Sequence, residues 1–296
     1  MKVVLSRKGM DSEYGGIPSP IMKDEQDNWK FYSLPIPSSE NSDIKYSELS
    51  MYDNFTVADF LKDIPLKSKM SEFCHLDPDI RKQYLKSRSK EWNPNFGQVK
   101  SAQSHLQNNN IGKGDIFLFF GWFQKAEYKN NKFTYIKDKN YPYGFHVIYG
   151  YLQIEEIYKP NIGNVPKWLD YHPHTKYKDK NEFNNPNNTI YVATDFKKNN
   201  SQVNKNGAGF FNFSDELILT KGEQNNRTLW KLPLEFHPDN DISLSYNKSI
   251  NRWDKENNNA NLKSASKGQE FIFKDSNKIV EKWCINLIEK FGKIII

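Results

Sequence analysis

His75 and Asp77 stand one residue apart in FCHLDPDIRKQY, residues 73–84. Alternate side chains of an extended segment share a face, so an imidazole and a carboxylate at this spacing can meet one proton or one metal ion. H-x-D also opens the two-histidine, one-carboxylate set of non-haem iron sites, and the further imidazole could come from His146, His172 or His174. The plainer role is structural: Asp77 or Asp79 would cap a helix through IRKQYLKSR, with Pro78 near its first turn. His172 and His174 flank Pro173 in YHPHTKY. The proline fixes an extended kink, so both rings could face one pocket and move protons near neutral pH, or one could face solvent.

Two further stretches carry usable side chains. In SRKGMDSEYGG, Arg7 and Lys8 follow a short apolar run and precede Gly9, Gly15 and Gly16. Two cations beside flexible backbone N–H groups suit a phosphate or carboxylate, although the stretch matches neither common phosphate-loop pattern. A turn whose glycines need positive φ explains it equally well. In FGQVKSAQSHL, Gln98, Gln103 and His105 could read the amide-like edges of a nucleobase or simply decorate a helix surface. Arg227, Trp230, Arg252, Trp253 and Glu270 have types suited to stacking, anion contact or proton transfer, with core or rim packing the simpler account of each.

The elements that would position these residues follow from pattern. Lys2–Leu5 reads as a buried strand, and the prolines of IPSPI and SLPIPSS hold the next segment extended. Thr56 caps a helix through VADFLKDI, and another helix falls within 97–107, with Gln98, Ala102, His105 and Leu106 on one side. GKGDIFLFFGWF and GFHVIYGYLQIEEIY read as strands joined through a hairpin turning at Asn130–Asn131, so residues 114–158 form a β-meander at the centre. NNTIYVAT, GAGFFNF, ELILT and KGQEFIFK read as further strands. NKIVEKWCINLIEKFGK reads as a closing helix with Ile279, Val280, Trp283, Leu287, Ile288 and Phe291 on its apolar face.

A hydrophobic fraction of 37% with an aromatic fraction of 15% describes a globular chain whose core is rich in rings. The net charge of +6 balances 42 basic against 36 acidic residues, which fits a polyanionic partner without specifying one. Stretches such as NNPNN and KENNNANLK read as surface loops filled by compositional bias. Cys74 and Cys284 share no metal spacing, no signal-peptide pattern opens the chain, and no apolar run approaches the ~18 residues of a membrane span. A cytoplasmic protein with two free thiols and no membrane partner is the expectation.

In chain order, LSRKGMDSEYGGIPSPI, SLPIP, HLDPDI, FGQVKSAQSHL, GDIFLFFGWF, HVIYGYLQIEEI, YHPH, NNTIYVA, LWKLP and GQEFIF resemble the bacterial and phage family called nucleotide modification associated domain three. The likeness runs from residue 3 to residue 273, with Met10 standing where an aromatic is expected. It implies one domain over 1–296, a nucleotide or nucleic-acid partner, and a site drawn from Arg7, Lys8, Asp11, His75, Asp77, Gln98, His105, His146, His172 and His174. GDIFLFFGWF and HVIYGYLQIEEI also look like the strand pair of PUA-like domains, β-barrels that bind modified bases or RNA. The resulting expectation is an α+β fold with a central, mostly antiparallel, partly barrel-like sheet. Its function would be nucleotide or base modification, with histidines for acid/base chemistry and the basic N-terminal loop for phosphate. The alternative is a non-enzymatic reader of modified bases, with Trp122 stacking on the base, or a nucleotide-sensing accessory protein of a phage or defence system. The cofactor stays unidentified, a divalent metal being one candidate.

Overall fold

The computed structural model describes residues 1–296 apart from 39–41, 67–69, 164, 177–184, 199–200, 223–225 and 293–296. The strands that frame the site are β1 (Val3–Arg7), β2 (Ser19–Lys23), β3 (Trp29–Phe31), β4 (Ile36–Pro37), β5 (Cys74–His75), β6 (Asn95–Gln98), β7 (Ile116–Lys129), β8 (Lys132–Tyr135), β9 (Phe145–Gln153), β10 (Glu156–Tyr158) and β11 (Thr189–Val192). Three helices accompany them among the described residues: α1 (Val57–Asp63), α2 (Lys100–Asn108) and α3 (Ile279–Phe291).

The apolar run at 116–123 becomes the middle of the main sheet. A strand buried on both faces needs no polar alternation, and Ile116 to Phe120 are all buried. β7 is long enough to serve four partners. Its first half lies between β1 and β9, while its second half lies against β2 and β8. The sheet continues from β1 through Glu270–Asp275 to Ile242–Leu244, and from β9 to Ala208–Phe210.

This corrects two expectations. β7, not β8, is the middle strand of the 114–158 region, because β8 and β9 both pair with it. The sheet is also mixed and open rather than barrel-like: β1 and β2 run parallel to β7, and among the described residues the strand order does not close on itself. The Asn130–Asn131 hairpin does form, with both residues at positive φ as a tight turn requires.

Local signals were read with mixed success. Thr56 caps α1 and exchanges bonds with Asp59 in a capping box. IRKQYLKSR forms no α-helix but a single 3-10 turn at Lys82–Tyr84. ELILT is a 3-10 turn at Asp215–Leu217 followed by isolated bridges at Ile218 and Thr220. KENNNANLK is a hairpin, Trp253–Glu256 against Asn259–Lys263, turning on Asn257 and Asn258 at positive φ. Asn184, in the NNPNN stretch, lies outside the described residues.

The main core runs from Val3 to Phe291 and is rich in rings, with a smaller cluster at Leu169, Ile190 and Val192. Phe31 meets Phe123 edge-on at 5.2 Å, and Phe96 meets Phe117 at 4.9 Å, the geometry that ring quadrupoles favour. α3 turns Val280, Cys284, Leu287 and Ile288 inward. Both cysteines are free and buried. No helix among the described residues is long and apolar enough to cross a membrane.

Candidate functional site

The site is built on a glycine. β6 pairs along one edge with β11, and at Gly97 its surface lies directly under two rings. A Cβ built there would fall 2.4 Å from His174 Cδ2 and 2.7 Å from His172 Cε1. No side chain larger than hydrogen leaves room for both imidazoles. These rings come from the turn after Pro173, where His172 caps a one-turn 3-10 helix by accepting the His174 N–H at Nδ1, 3.1 Å away. The proline-fixed kink therefore brings both histidines to one place.

The third ring arrives from the other side. β5 pairs with β4, burying Cys74 and leaving His75 partly exposed. Two residues on, Asp77 accepts the Gly97 N–H at Oδ1, 2.9 Å away. Three imidazole nitrogens then surround this one carboxylate: His174 Nε2 at 3.5 Å, His75 Nε2 at 3.7 Å and His172 Nε2 at 3.8 Å. The side chains of His172, His174 and Asp77 are 0%, 3% and 6% exposed, against 17% for His75, which forms the most exposed edge of the cluster. The rings of His75 and His174 stand edge-to-face at 5.5 Å, and those of His172 and His174 are 5.3 Å apart.

Hydrogen bonds fix the state of each ring. Asn188 Nδ2 donates to the His174 carbonyl at 2.9 Å, which turns Asn188 Oδ1 toward His174 Nδ1 at 2.8 Å. His174 therefore donates from Nδ1 to Asn188 and turns its Nε2 toward Asp77. His172, accepting at Nδ1, carries its hydrogen on Nε2 in the neutral form, and that buried atom has no hydrogen-bond partner. Burial would raise the Asp77 carboxyl, but His172, His174 and His75 together hold it well below its ordinary range. His75 and His172 are lowered by burial, with Asp77 opposing the shift.

A polar layer adjoins the rings. Gln98, next to Gly97, donates to Glu270 Oε1 at 2.7 Å, and Lys8 Nζ reaches the same oxygen at 2.7 Å while lying over the Phe96 ring. Glu270 Oε2 is buried without a hydrogen-bond partner.

Of the residues singled out from sequence, His75, Asp77, His172 and His174 thus converge, with Gln98 and Lys8 beside them. Others face different neighbours. His105 meets Ser245 Oγ at 3.1 Å and packs on Tyr246. His146 is buried and accepts from Trp230 Nε1 at 3.1 Å. Arg7 gives its guanidinium to the carbonyls of Ser266 and Ala265 between the Phe120 and Phe271 rings. Asp11 closes its own turn by accepting the N–H groups of Glu13 and Tyr14, with Gly15 and Gly16 at positive φ. Trp122 lies under the Arg227 guanidinium at 3.8 Å. For Arg7 and Lys8 to hold a phosphate, the bonds they make within the fold would have to be exchanged. Asp77 and Asp79 cap no helix: Asp79 is bound by Arg88, Trp92 and Tyr171.

The helix expected over 97–107 begins only at Lys100, and Gly97 and Gln98 belong to the strand β6. Asn188 stands in the asparagine-rich run NNPNN, and its sequence signal is its place directly before the first strand residue of β11, Thr189.

The structure defines an α+β protein in which three histidines enclose a buried carboxylate at the rim of a small sheet. Residues 2–274 match the family described as nucleotide modification associated domain 3, and the chain belongs to that family. No curated protein and no solved structure matches it.

Proposed function

We propose that this chain is a single-domain enzyme that modifies a nucleotide or a nucleic-acid base, and that its reaction takes place at Asp77. The observation that carries this reading is the convergence of His75, His172 and His174 on one carboxylate, in a chain whose family is associated with nucleotide modification. Carboxylates and imidazoles with perturbed proton affinity gather where protons or electrons are moved. A group whose only role is structural is instead satisfied by close hydrogen bonds.

The neighbours divide the work. His75, the most exposed of the four, meets the substrate. Asn188 fixes the His174 ring, and Gly97 supplies both the floor and the N–H that orients Asp77. Gln98 and Lys8, both bonded to Glu270, would meet a base or phosphate only by exchanging those bonds.

The test is conversion. Purified protein is incubated with nucleoside triphosphates and with duplex and single-stranded DNA, and the nucleosides are then analysed by mass spectrometry. The wild type yields a product of altered mass, and Asp77→Asn, with unchanged melting temperature, yields none. Full conversion by a folded Asp77→Asn protein removes Asp77 from the reaction. Binding of modified bases by the wild type without any conversion favours the reader instead.

A further inference from the structure

The distances around Asp77 fit neither hydrogen bonds nor a closed structural ion pair. Charge-assisted N–H···O bonds run to about 2.7–2.9 Å, whereas the imidazole nitrogens stand 3.5, 3.7 and 3.8 Å from the carboxylate oxygens. Two ligands bound to one transition metal at about 2.0–2.2 Å lie roughly 3.0–3.5 Å apart. The His174 separation reaches that range and the His75 separation lies just beyond it, while His172, at 3.8 Å, stands outside it.

The bonding of each atom sorts the cluster into ligands and supports. His174 is oriented by Asn188 so that its Nε2 faces Asp77 Oδ2. His75 Nε2 faces the same oxygen. The other oxygen, Oδ1, is already held by the Gly97 N–H and faces His172 Nε2. His172 is fully buried, and its Nε2 has no hydrogen-bond partner. With Nδ1 engaged by a backbone N–H, its Nε2 hydrogen is aimed at the carboxylate oxygen that would not bind the metal.

We infer that His75, Asp77 Oδ2 and His174 hold one divalent first-row transition-metal ion, with His172, Gly97 and Asn188 orienting the ligands. The three donor atoms lie within 4.8 Å of one another, and His75 is the least buried of them. Two imidazoles and a single carboxylate suit iron(II), zinc or manganese(II) better than magnesium or calcium, which prefer all-oxygen shells. Thiolate is excluded from the set, since Cys74 points to the face of β5 opposite His75. Three protein ligands leave coordination positions open on the His75 side, where water or substrate would bind.

This inference deepens the proposed function by naming what the same site holds, and its readout needs no substrate. Wild-type protein purified without chelator is assayed by elemental mass spectrometry, then stripped and titrated calorimetrically with zinc and with cobalt(II) while the cobalt absorption bands are followed. About one ion per chain is expected, with tetrahedral or five-coordinate cobalt bands. Asp77→Ala and His174→Ala abolish stoichiometric binding. His172→Gln, which touches only a supporting group, weakens binding by about 10–100-fold. His105→Ala leaves it unchanged. If His174→Ala does not fold, His75→Ala, at the exposed edge, takes its place. Wild-type protein that neither retains nor takes up metal overturns the inference, as does stoichiometric binding that survives loss of Asp77. Metal bound at this site without conversion of any nucleotide upholds the inference and counts against the enzymatic reading alone.

Discussion

Asp77 and Asp79 flank one proline and are both enclosed by protein, yet they live in opposite circumstances. Asp79 is closed: Arg88 grips it through two nitrogens at 2.5 and 2.6 Å, and Tyr171 Oη and Trp92 Nε1 add bonds at 2.6 and 3.1 Å. Its backbone is also bridged to Asn95. Asp77 has one close hydrogen bond, from Gly97, and three imidazole nitrogens at longer range. A carboxylate that has spent its acceptor capacity on the fold holds the fold together; one that has kept it back is available to a ligand. The two acids are alike in type and both largely enclosed, and they differ most in what faces them.

The contrast can be broken at its stronger end first. Arg88→Met strands the Asp79 charge in a dry setting, and loss of one partner of a buried pair costs about 3–5 kcal/mol. Urea denaturation should show that loss, and a cost below about 1 kcal/mol would mean that Asp79 is no more closed than Asp77. Gly97→Ala comes next. Its added methyl overlaps the His172 and His174 rings, and overpacking of this kind costs about 1–3 kcal/mol. The same variant should lose metal and nucleotide chemistry together, and an unperturbed site in Gly97→Ala would show that the rings do not rest on that strand.

A smaller effect separates the cluster from a histidine outside it. Burial, aided by Arg7 and Arg227, holds His146 neutral well below 6.5. As pH falls past that value, an unfolded imidazole takes up a proton that the folded one refuses, so the unfolded state binds more protons and stability drops. His75 and His172 shift in the same direction. His146→Gln keeps a neutral acceptor for Trp230 and removes one of these contributions. Its denaturation midpoint should decline less steeply than that of the wild type between neutral and mildly acidic pH, and parallel declines would show that His146 does not contribute. Smallest of all is the stability effect of Asp77→Asn, which keeps an acceptor for Gly97 but gives up the ionised form that the surrounding imidazoles favour. A loss smaller than that of Arg88→Met is expected in the same urea assay, and a comparable loss would erase the distinction between the two acids.

Much of this was legible beforehand, and the failures have physical causes. The H-x-D pair and the histidines around Pro173 were visible because short-range geometry dictates which side chains can meet. The choice among His146, His172 and His174 depended on strand pairing between residues far apart in the chain, which spacing does not encode. The helix expected through IRKQYLKSR lost to tertiary bonding: Asp79, its proposed cap, is bound by Arg88, Trp92 and Tyr171. The apolar run of β7 was evident, but its four partners were not, since a strand buried on both faces carries no mark of which neighbour lies on which edge. Asn188 was hidden by composition. In a chain this rich in asparagine, one buried amide looks like all the others.

β6 has a consequence beyond positioning. Its three-stranded sheet runs β10, β11, β6, so among the described residues one edge of β6 has no neighbouring strand, and such edges invite pairing with another molecule. Here the Asn95 N–H is taken by the Asp79 carbonyl and the Gly97 N–H by the Asp77 side chain. The two acids of HLDPD thus act as a selvedge: they bind off two N–H groups that a stray strand would otherwise find open.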